Sequence, residues 1–221
     1  MTPVGVLHSG MRVHEIFHSL QGEGPFQGFP TVFVRFTGCD LRCTWCDTAY
    51  AFQGGRTMSR DEILAAVSSY SCRRLCLTGG EPLLQDELPL LAQSLLEAGW
   101  SVSVETGGHR PLAGLPAALT RVVDVKCPGS GEGGSFLTEN LARLRPGDEL
   151  KFVVATWEDL DFTQAFRREQ PIPPGVVCRV SPAWGMLDLP ELARRLLAGG
   201  SDLALGLQLH KQVWGPDERG V

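Results

Sequence analysis

Short apolar stretches alternate along the chain with longer stretches whose apolar residues recur at helical spacing. The short stretches are rich in Val, Leu and Phe and are bounded by Gly or Pro, which is typical of strands in a buried sheet. The pattern predicts strands over 12–18, 31–37, 74–78, 101–105, 121–126, 149–154, 176–180 and 203–210.

The segments between the strands predict helices. Ser59 and Glu62 have the spacing of a capping box ahead of the apolar positions that start at Ile63. The stretch 87–98 carries leucines on one face and stops at Gly99, as a helix often does. The other predicted helices are 138–144, 158–168 and 189–198.

The order strand, helix, strand predicts parallel strands joined by right-handed crossovers. A complete eight-fold barrel needs about 250 residues, whereas this chain has 221. We therefore expect a single α/β domain over residues 1–221. Its architecture would be an incomplete (βα)6-type, TIM-like barrel with eroded helices.

Composition and charge exclude several classes of protein. The net charge is −5 and the isoelectric point is about 5.5, so nothing indicates a nucleic-acid surface. No run approaches the roughly 18 apolar residues of a membrane span. Residues 1–10 lack the basic region and apolar core of a secretion signal. We expect a cytoplasmic protein with no nucleic-acid or membrane partner.

Three of the seven cysteines, Cys39, Cys43 and Cys46, form a C-x3-C-x2-C motif. Thiolates suit iron–sulfur clusters and zinc. Three of them can hold three irons of a [4Fe–4S] cluster and leave the fourth iron open, which is our prediction. A structural zinc site needs four ligands, so His18 or Cys72 would have to join through folding. Three ordinary buried cysteines are the remaining alternative.

The other cysteines form no second motif. Cys76 and Cys178 lie in apolar strands and predict core packing, whereas Cys127 carries no assignment.

A second motif, Gly79-Gly80-Glu81-Pro82, follows a predicted strand and precedes a predicted helix. Two glycines allow a ligand to approach the backbone closely. The exposed amides and carbonyls of the segment, with Glu81, could bind the ammonium of a zwitterion. A plain strand-to-helix turn is the alternative. Because other polar residues also fall at strand ends, we expect one shared rim to carry the site.

These two motifs together, with Trp45 just before the last cysteine, resemble the radical S-adenosylmethionine superfamily. The resemblance implies that the open iron is chelated by the amino and carboxylate groups of S-adenosylmethionine. Electron transfer would then cleave the sulfonium and give a 5′-deoxyadenosyl radical that abstracts hydrogen from the substrate.

Further stretches narrow the resemblance. They are the Gln-Gly-Glu-Gly segment from Gln21, the Glu-Thr-Gly-Gly segment from Glu105, the Asp-Val-Lys-Cys-Pro segment from Asp124, and the His-Lys…Trp-Gly-Pro segment from His210. Over nearly the whole chain these resemble the 7-carboxy-7-deazaguanine synthases. That family contracts the ring of 6-carboxy-5,6,7,8-tetrahydropterin with loss of ammonia in queuosine biosynthesis. The resemblance also implies Mg²⁺, a reductant such as flavodoxin or ferredoxin, and a homodimer.

The resemblance implies roles for individual residues, with no catalytic residue beyond the cluster and the cofactor radical. Thr48 would bind Mg²⁺. The residues along S-adenosylmethionine would be Thr44, Trp45, Asp47, Gly79, Gly80, Glu81, Asp124, Val125, Lys126, Ser181, Pro182, Ala183 and Trp184. The residues around the substrate would be Leu20, Gln21, Gly22, Glu23, Arg35, Thr78, Glu105, His210 and Pro216.

The chemistry of some of these residues leaves a second interpretation open. Arg35 can bind a substrate carboxylate through two parallel hydrogen bonds, or form a surface ion pair. Thr48 can supply one oxygen to Mg²⁺, which is often held by few protein ligands, or it can cap a helix or form a loop hydrogen bond. Glu105 can accept from the substrate or pair with a lysine. His210 can add charge, although a lone His is more often structural.

Two other functions remain open at this point. One is an activating enzyme that places a glycyl radical on a protein partner, although the Gln-Gly-Glu-Gly segment and Arg35 favour a small enclosed substrate. The other is a zinc-stabilised binding module without catalysis.

Overall fold

The structure is a computed structural model that describes residues 10–200 and 202–221. Within these ranges the strands are β1 (Met11–Leu20), β2 (Pro30–Phe36), β3 (Arg56–Met58), β4 (Arg74–Gly79), β5 (Ser101–Thr106), β6 (Thr120–Asp124), β7 (Glu149–Val154), β8 (Val177–Pro182) and β9 (Ala204–Leu205). The α-helices are α1 (Arg60–Ser68), α2 (Leu88–Glu97), α3 (Trp157–Glu169), α4 (Leu189–Ala198) and α5 (Leu209–Trp214).

The nine strands form one open sheet in the order β3-β1-β2-β4-β5-β6-β7-β8-β9. β1 is antiparallel to both β2 and β3. From β2 to β9 every neighbouring pair is parallel. The predicted α/β class and parallel run are therefore confirmed, and the sheet does not close because β3 and β9 remain at its edges.

Local signals place the helices. Ser59 and Glu62 form the predicted capping box at the start of α1, and Thr156 and Asp159 form another at the start of α3. Each box satisfies backbone N–H groups that have no partner within the helix. Gly99, with φ +82°, follows the end of α2 in a left-handed conformation that favours glycine.

The parallel strands have one apolar and one polar face, because successive side chains alternate between the two sides. Leu150 and Phe152 of β7 belong to the hydrophobic core that the helices cover. Glu149 and Lys151, in the same strand, point to the opposite face. The concave interior of the open barrel therefore carries charged residues, beside apolar ones such as Val122 and Val153.

Several strand and helix predictions are corrected by the structure. The predicted strand 203–210 is wrong: only Ala204–Leu205 is extended, and α5 begins at Leu209. The Leu209 N–H donates to the Gly22 carbonyl at 2.9 Å, which holds the turn into α5 against the β1–β2 hairpin. β3 was not predicted because it has three residues. Residues Thr138–Arg143 form a 3₁₀ helix, not an α-helix.

None of the helices in the described part of the chain is long and apolar enough to cross a bilayer. The expectation that residues 1–10 carry no secretion signal falls, except for Gly10, outside the described residues.

Candidate functional site

A cavity of about 460 Å³ opens at the carboxyl ends of the parallel strands. The cysteine loop, the β1–β2 hairpin and α5 complete its walls. The structure brings most of the predicted site residues together in this lining, namely Leu20, Gln21, Gly22, Glu23, Arg35, Cys39, Cys43, Trp45, Cys46, Asp47, Thr48, Thr78, Gly79, Gly80, Glu81, Glu105, Asp124, Lys126, Ala183, Trp184, His210 and Pro216.

Four predicted residues do not line the cavity. Val125 packs in the hydrophobic core, and its N–H donates to the Lys151 carbonyl at 2.8 Å. Thr44 donates from both its N–H and its hydroxyl to the Ser130 carbonyl, which anchors the cysteine loop. Ser181 is buried in β8, and Pro182 follows it at the end of that strand.

Backbone hydrogen bonds shape the cysteine loop, one just before its first cysteine and one within it. The Gly38 N–H donates to the Ala51 carbonyl at 2.9 Å, and the Cys46 N–H donates to the Cys43 carbonyl at 3.2 Å. All three thiols are free and half-buried. Burial raises the pKa of Cys39, and the N–H of Leu41 partly offsets this by donating to its sulfur at 3.4 Å. Burial also raises the pKa of Cys43.

The three cysteines of the motif can be compared with the ligand sets of an iron–sulfur cluster and of a single zinc ion. Across residues 10–200 and 202–221, no three His, Cys, Asp or Glu side chains converge where they would share one metal ion. A tetrahedral zinc site requires such convergence. A [4Fe–4S] cluster does not, because each thiolate binds a different iron. The chemistry of the three thiols therefore suits the predicted cluster.

The Gly79-Gly80-Glu81 segment lies directly against the cysteine loop. The Gly80 N–H donates to the Phe36 carbonyl, and the Glu81 N–H donates to the Gly38 carbonyl at 2.8 Å. A Cβ added at Gly80 would lie 2.1 Å from the Gly38 oxygen and 2.8 Å from Cys39 Cβ. Glycine is therefore required for this close approach.

The Glu81 side chain is buried and bonded to its own chain. Its Oε1 accepts from the Thr106 hydroxyl at 2.8 Å and from the Leu83 N–H at 2.9 Å. Its Oε2 accepts from the Gly107 N–H at 2.9 Å. These bonds fix the segment against β5, and they occupy the carboxylate that the sequence suggested for an ammonium group.

His109 also lines the cavity, although no sequence motif indicates it. Its Nε2 lies 2.7 Å from Asp40 Oδ1, and its Nδ1 lies 3.6 Å from Glu81 Oε2. Burial raises the pKa of Asp40, but hydrogen bonds from His109 and Arg110 outweigh this and lower it to about 2. His109 therefore lies between the cysteine loop, to which it is hydrogen-bonded, and Glu81.

The hairpin half of the cavity carries a small hydrogen-bond network. Gln21 Nε2 donates to Glu105 Oε1 at 3.0 Å, and the Thr78 hydroxyl donates to Glu105 Oε2 at 3.4 Å. A Cβ at Gly22 would overlap the His210 ring, 1.8 Å from Nδ1. Burial is the main cause that lowers the pKa of His210. The hairpin and α5 therefore meet through contacts that only glycine permits.

Arg35 points toward the cavity but is not a surface ion pair. Its Nε donates to Glu15 at 2.8 Å, and its side chain is only 16% exposed. The guanidinium lies 5.7 Å from the Phe17 ring centroid and 5.8 Å from that of Tyr50. Tyr50 also donates to Glu15 at 2.8 Å. The Arg35 head is therefore held in one orientation by Glu15 and two rings.

Asp47 and Thr48 follow the last cysteine of the motif. The Thr48 hydroxyl donates to Asp47 Oδ1 at 2.9 Å, and Lys211 donates to Asp47 Oδ2 at 2.7 Å. Burial raises the pKa of Asp47, but Lys211 outweighs it and holds the pKa well below its usual range. Thr48 precedes a 3₁₀ helix without a side-chain capping bond. Of the two structural alternatives for Thr48, the structure therefore shows the loop hydrogen bond and no helix cap.

Lys151 is the principal residue of the cavity that sequence reasoning missed. Its Nζ donates to Glu23 Oε2 at 2.6 Å and lies 3.8 Å from Asp124 Oδ2. Lys126 donates to the same Asp124 oxygen at 2.8 Å. Burial lowers the pKa of Lys151, but Glu23 and Asp124 outweigh it and raise the pKa well above its usual value. Lys151 is therefore a buried cation.

The tail beyond Pro216 returns to the same region. Val221 lines the cavity, and the Arg219 guanidinium lies 4.3 Å from the centroid of the Tyr50 ring.

The comparisons with known proteins agree on one family. Residues 33–126 match the radical SAM superfamily. The chain is 45% identical to the 7-carboxy-7-deazaguanine synthase of Koribacter versatilis, covering 96% of this chain and 100% of that protein. It is 41% identical to the synthase of the same name from Methanospirillum hungatei, covering 93% and 86%.

A solved structure supports the fold. The crystal structure of QueE from Escherichia coli superposes with a TM-score of 0.76 at 24% identity, covering 92% of this chain and 96% of that one. The open sheet, the cysteine loop at its rim and the match along the whole chain lead to the same conclusion: the chain belongs to the 7-carboxy-7-deazaguanine synthase family of radical SAM enzymes.

Proposed function

We propose that the protein is a radical S-adenosylmethionine lyase of queuosine and 7-deazapurine biosynthesis. It converts 6-carboxy-5,6,7,8-tetrahydropterin to 7-carboxy-7-deazaguanine with release of ammonia. The observation that carries this proposal is the 45% identity to a synthase of that name over 96% of the chain. The product is the substrate less one ammonia, so the overall reaction consumes no net oxidant or reductant.

The cofactors would occupy the half of the cavity beside the cysteine loop. Cys39, Cys43 and Cys46 would hold a [4Fe–4S] cluster, and the backbone at Gly79 and Gly80 would approach S-adenosylmethionine. When bound, the cluster and S-adenosylmethionine supply the radical chemistry of the superfamily. Thr44, Val125, Ser181 and Pro182, whose side chains do not line the cavity, would contribute to the cofactor site through their backbone or by supporting neighbouring residues.

The protein residues would bind and orient the substrate in the hairpin half. Arg35, held by Glu15, would present its guanidinium to the substrate carboxylate. Gln21 and Thr78 both donate to Glu105, and they would orient the Glu105 carboxylate toward N–H groups of the pterin. The apolar walls from Phe17 and Phe33 would exclude water from the reacting ring.

Further parts of the proposal concern the metal ion, one substrate contact and the protein partners. Mg²⁺ would bind the Thr48 hydroxyl, with substrate and water oxygens completing its shell. Pro216 lies in the lining and would approach the substrate. We further propose a cytoplasmic homodimer reduced by a flavodoxin or ferredoxin.

Anaerobic turnover is the decisive experiment. The reconstituted protein is reduced, given S-adenosylmethionine and the carboxylated tetrahydropterin, and the products are detected by mass spectrometry. We expect 7-carboxy-7-deazaguanine and ammonia in equal amounts. Cys43→Ala is the matched control, which should lose the brown cluster and all turnover while remaining soluble.

The same experiment separates the rival functions. A colourless sample that contains zinc without iron and sulfide would support the binding module. A brown sample that cleaves S-adenosylmethionine but leaves the pterin unchanged would contradict the proposal and favour an activating enzyme.

A further inference from the structure

Two carboxylates of the cavity meet at one buried cation. Lys151, on the concave face of β7, donates to Glu23 of the hairpin at 2.6 Å. It lies 3.8 Å from Asp124, at the end of β6. Only 12% of the Lys151 side chain is exposed. The three residues line the same cavity. The Lys151 ammonium therefore lies between the half of the cavity proposed for the substrate and the half proposed for the cofactors.

Each carboxylate keeps one oxygen without a protein partner. Glu23 Oε1 and Asp124 Oδ1 are both buried, and neither accepts a hydrogen bond from the described residues. Leaving a buried acceptor unsatisfied costs about 1–3 kcal/mol. In a cavity wall such oxygens are matched when a ligand supplies the donors.

We propose that Lys151 is a positioning residue of the substrate site, which orients Glu23 so that its second carboxylate oxygen accepts from an N–H group of the substrate heterocycle. This inference rests on the proposed function, because a pterin carries N–H donors along its pyrimidine edge. Asp124 is the second anchor that keeps the Lys151 ammonium centred. Lys126 in turn neutralises Asp124.

The adjacent strand offers a matched comparison. Arg179 of β8 donates to Glu149 of β7 at 2.8 Å, on the same concave face. Neither residue lines the cavity. A buried ion pair that serves only the fold would behave like Arg179 and Glu149, and removing its cation would leave substrate affinity unchanged.

The test measures affinity and stability in the same variants. Lys151→Met removes the charge and keeps a linear side chain, Glu23→Gln removes the partner charge, and the double variant removes both. Arg179→Met is the control. Binding of 6-carboxypterin, the oxidised and air-stable form of the proposed substrate, is followed by its fluorescence in anaerobically reconstituted protein with S-adenosylmethionine. KM is measured with the tetrahydropterin, and thermal unfolding is recorded for each variant.

We expect Lys151→Met and Glu23→Gln each to weaken binding about 10- to 100-fold, the range for one hydrogen bond to a charged group. KM should rise in step. The double variant should bind no more weakly than the worse single variant, because Lys151 acts through Glu23. Arg179→Met should lower the unfolding temperature without changing affinity.

Other outcomes would overturn the inference. Affinity of Lys151→Met within about twofold of the parent protein would do so, as would a double-variant loss equal to the product of the two single losses. If Lys151→Met fails to fold, the affinities of Glu23→Gln and of the double variant test the inference instead. A double variant that binds the pterin a further tenfold more weakly than Glu23→Gln would contradict the inference. If the parent protein itself fails to bind the pterin, the proposed function falls first and the inference with it.

Discussion

Replacing Glu81 by Gln tests whether this buried carboxylate holds the Gly79-Gly80-Glu81 segment in place beside the cysteine loop. Glu81 is 0% exposed and accepts three hydrogen bonds, two of them from the backbone N–H groups of Leu83 and Gly107. The third comes from the Thr106 hydroxyl. A glutamine has one carbonyl oxygen and one NH₂ group, so it cannot accept from both backbone N–H groups.

The expected cost follows from this geometry. In one orientation the NH₂ group faces the Gly107 N–H, and in the other it faces the Leu83 N–H, whereas the Thr106 hydroxyl can rotate to accept. One backbone donor is left unsatisfied in either orientation, and the surviving bonds lose their charge. We expect the free energy of unfolding to fall by about 2–4 kcal/mol.

Urea unfolding under reducing, metal-free conditions measures this change. Glu97→Gln is the control, because Glu97 accepts one exposed bond from Gln93 in α2 and its replacement should change stability by less than about 0.5 kcal/mol. Iron content after anaerobic reconstitution is the second measurement and should fall for Glu81→Gln alone. A loss below about 1 kcal/mol at Glu81 would refute the claim that its three bonds fix this segment.

Three further changes have defined outcomes. Gly80→Ala should displace the backbone at Gly38 and lower iron incorporation, because its Cβ would lie 2.1 Å from that carbonyl oxygen; Gly99→Ala, with open space around it, should leave iron content unchanged. His210→Asn should reduce the decrease in the free energy of unfolding that occurs as the pH falls below about 6.5. Burial lowers the pKa of His210, so the unfolded chain takes up its proton first and stability falls as pH falls through that value. Thr48→Ala should weaken the Mg²⁺ dependence of turnover more than cluster assembly, and an unchanged Mg²⁺ response would remove Thr48 from the site.

The charged interior shows why sequence reasoning missed Lys151. The residues predicted for the site lie mainly at strand ends, whereas Lys151 lies in the middle of β7. A signal was present, because Glu149 and Lys151 alternate with Leu150 and Phe152, which indicates a strand with a polar face. Its partner Glu23 lies 128 residues earlier, however, and no local pattern joins the two.

The error at 203–210 has a similar origin. Leucines at 203, 205, 207 and 209 alternate as in a strand, and the local pattern favours strand throughout. A bond from the Leu209 N–H to the Gly22 carbonyl, between parts of the chain that are distant in sequence, turns the segment into α5. Tertiary contact overrides strand propensity here.

The sequence by itself determined the α/β class and most strand and helix positions, and it predicted the three cysteines as cluster ligands. Each of these depends on residues that are close in the chain: apolar periodicity, capping pairs such as Ser59 and Glu62, and three cysteines within one loop. Only the tertiary structure decided which charges meet. The pairs Lys151–Glu23 and Lys211–Asp47 join residues separated by 128 and 164 positions. The energy of a buried ion pair depends on the distance between its charges and on their burial. Both are set only when the sheet brings its strands together.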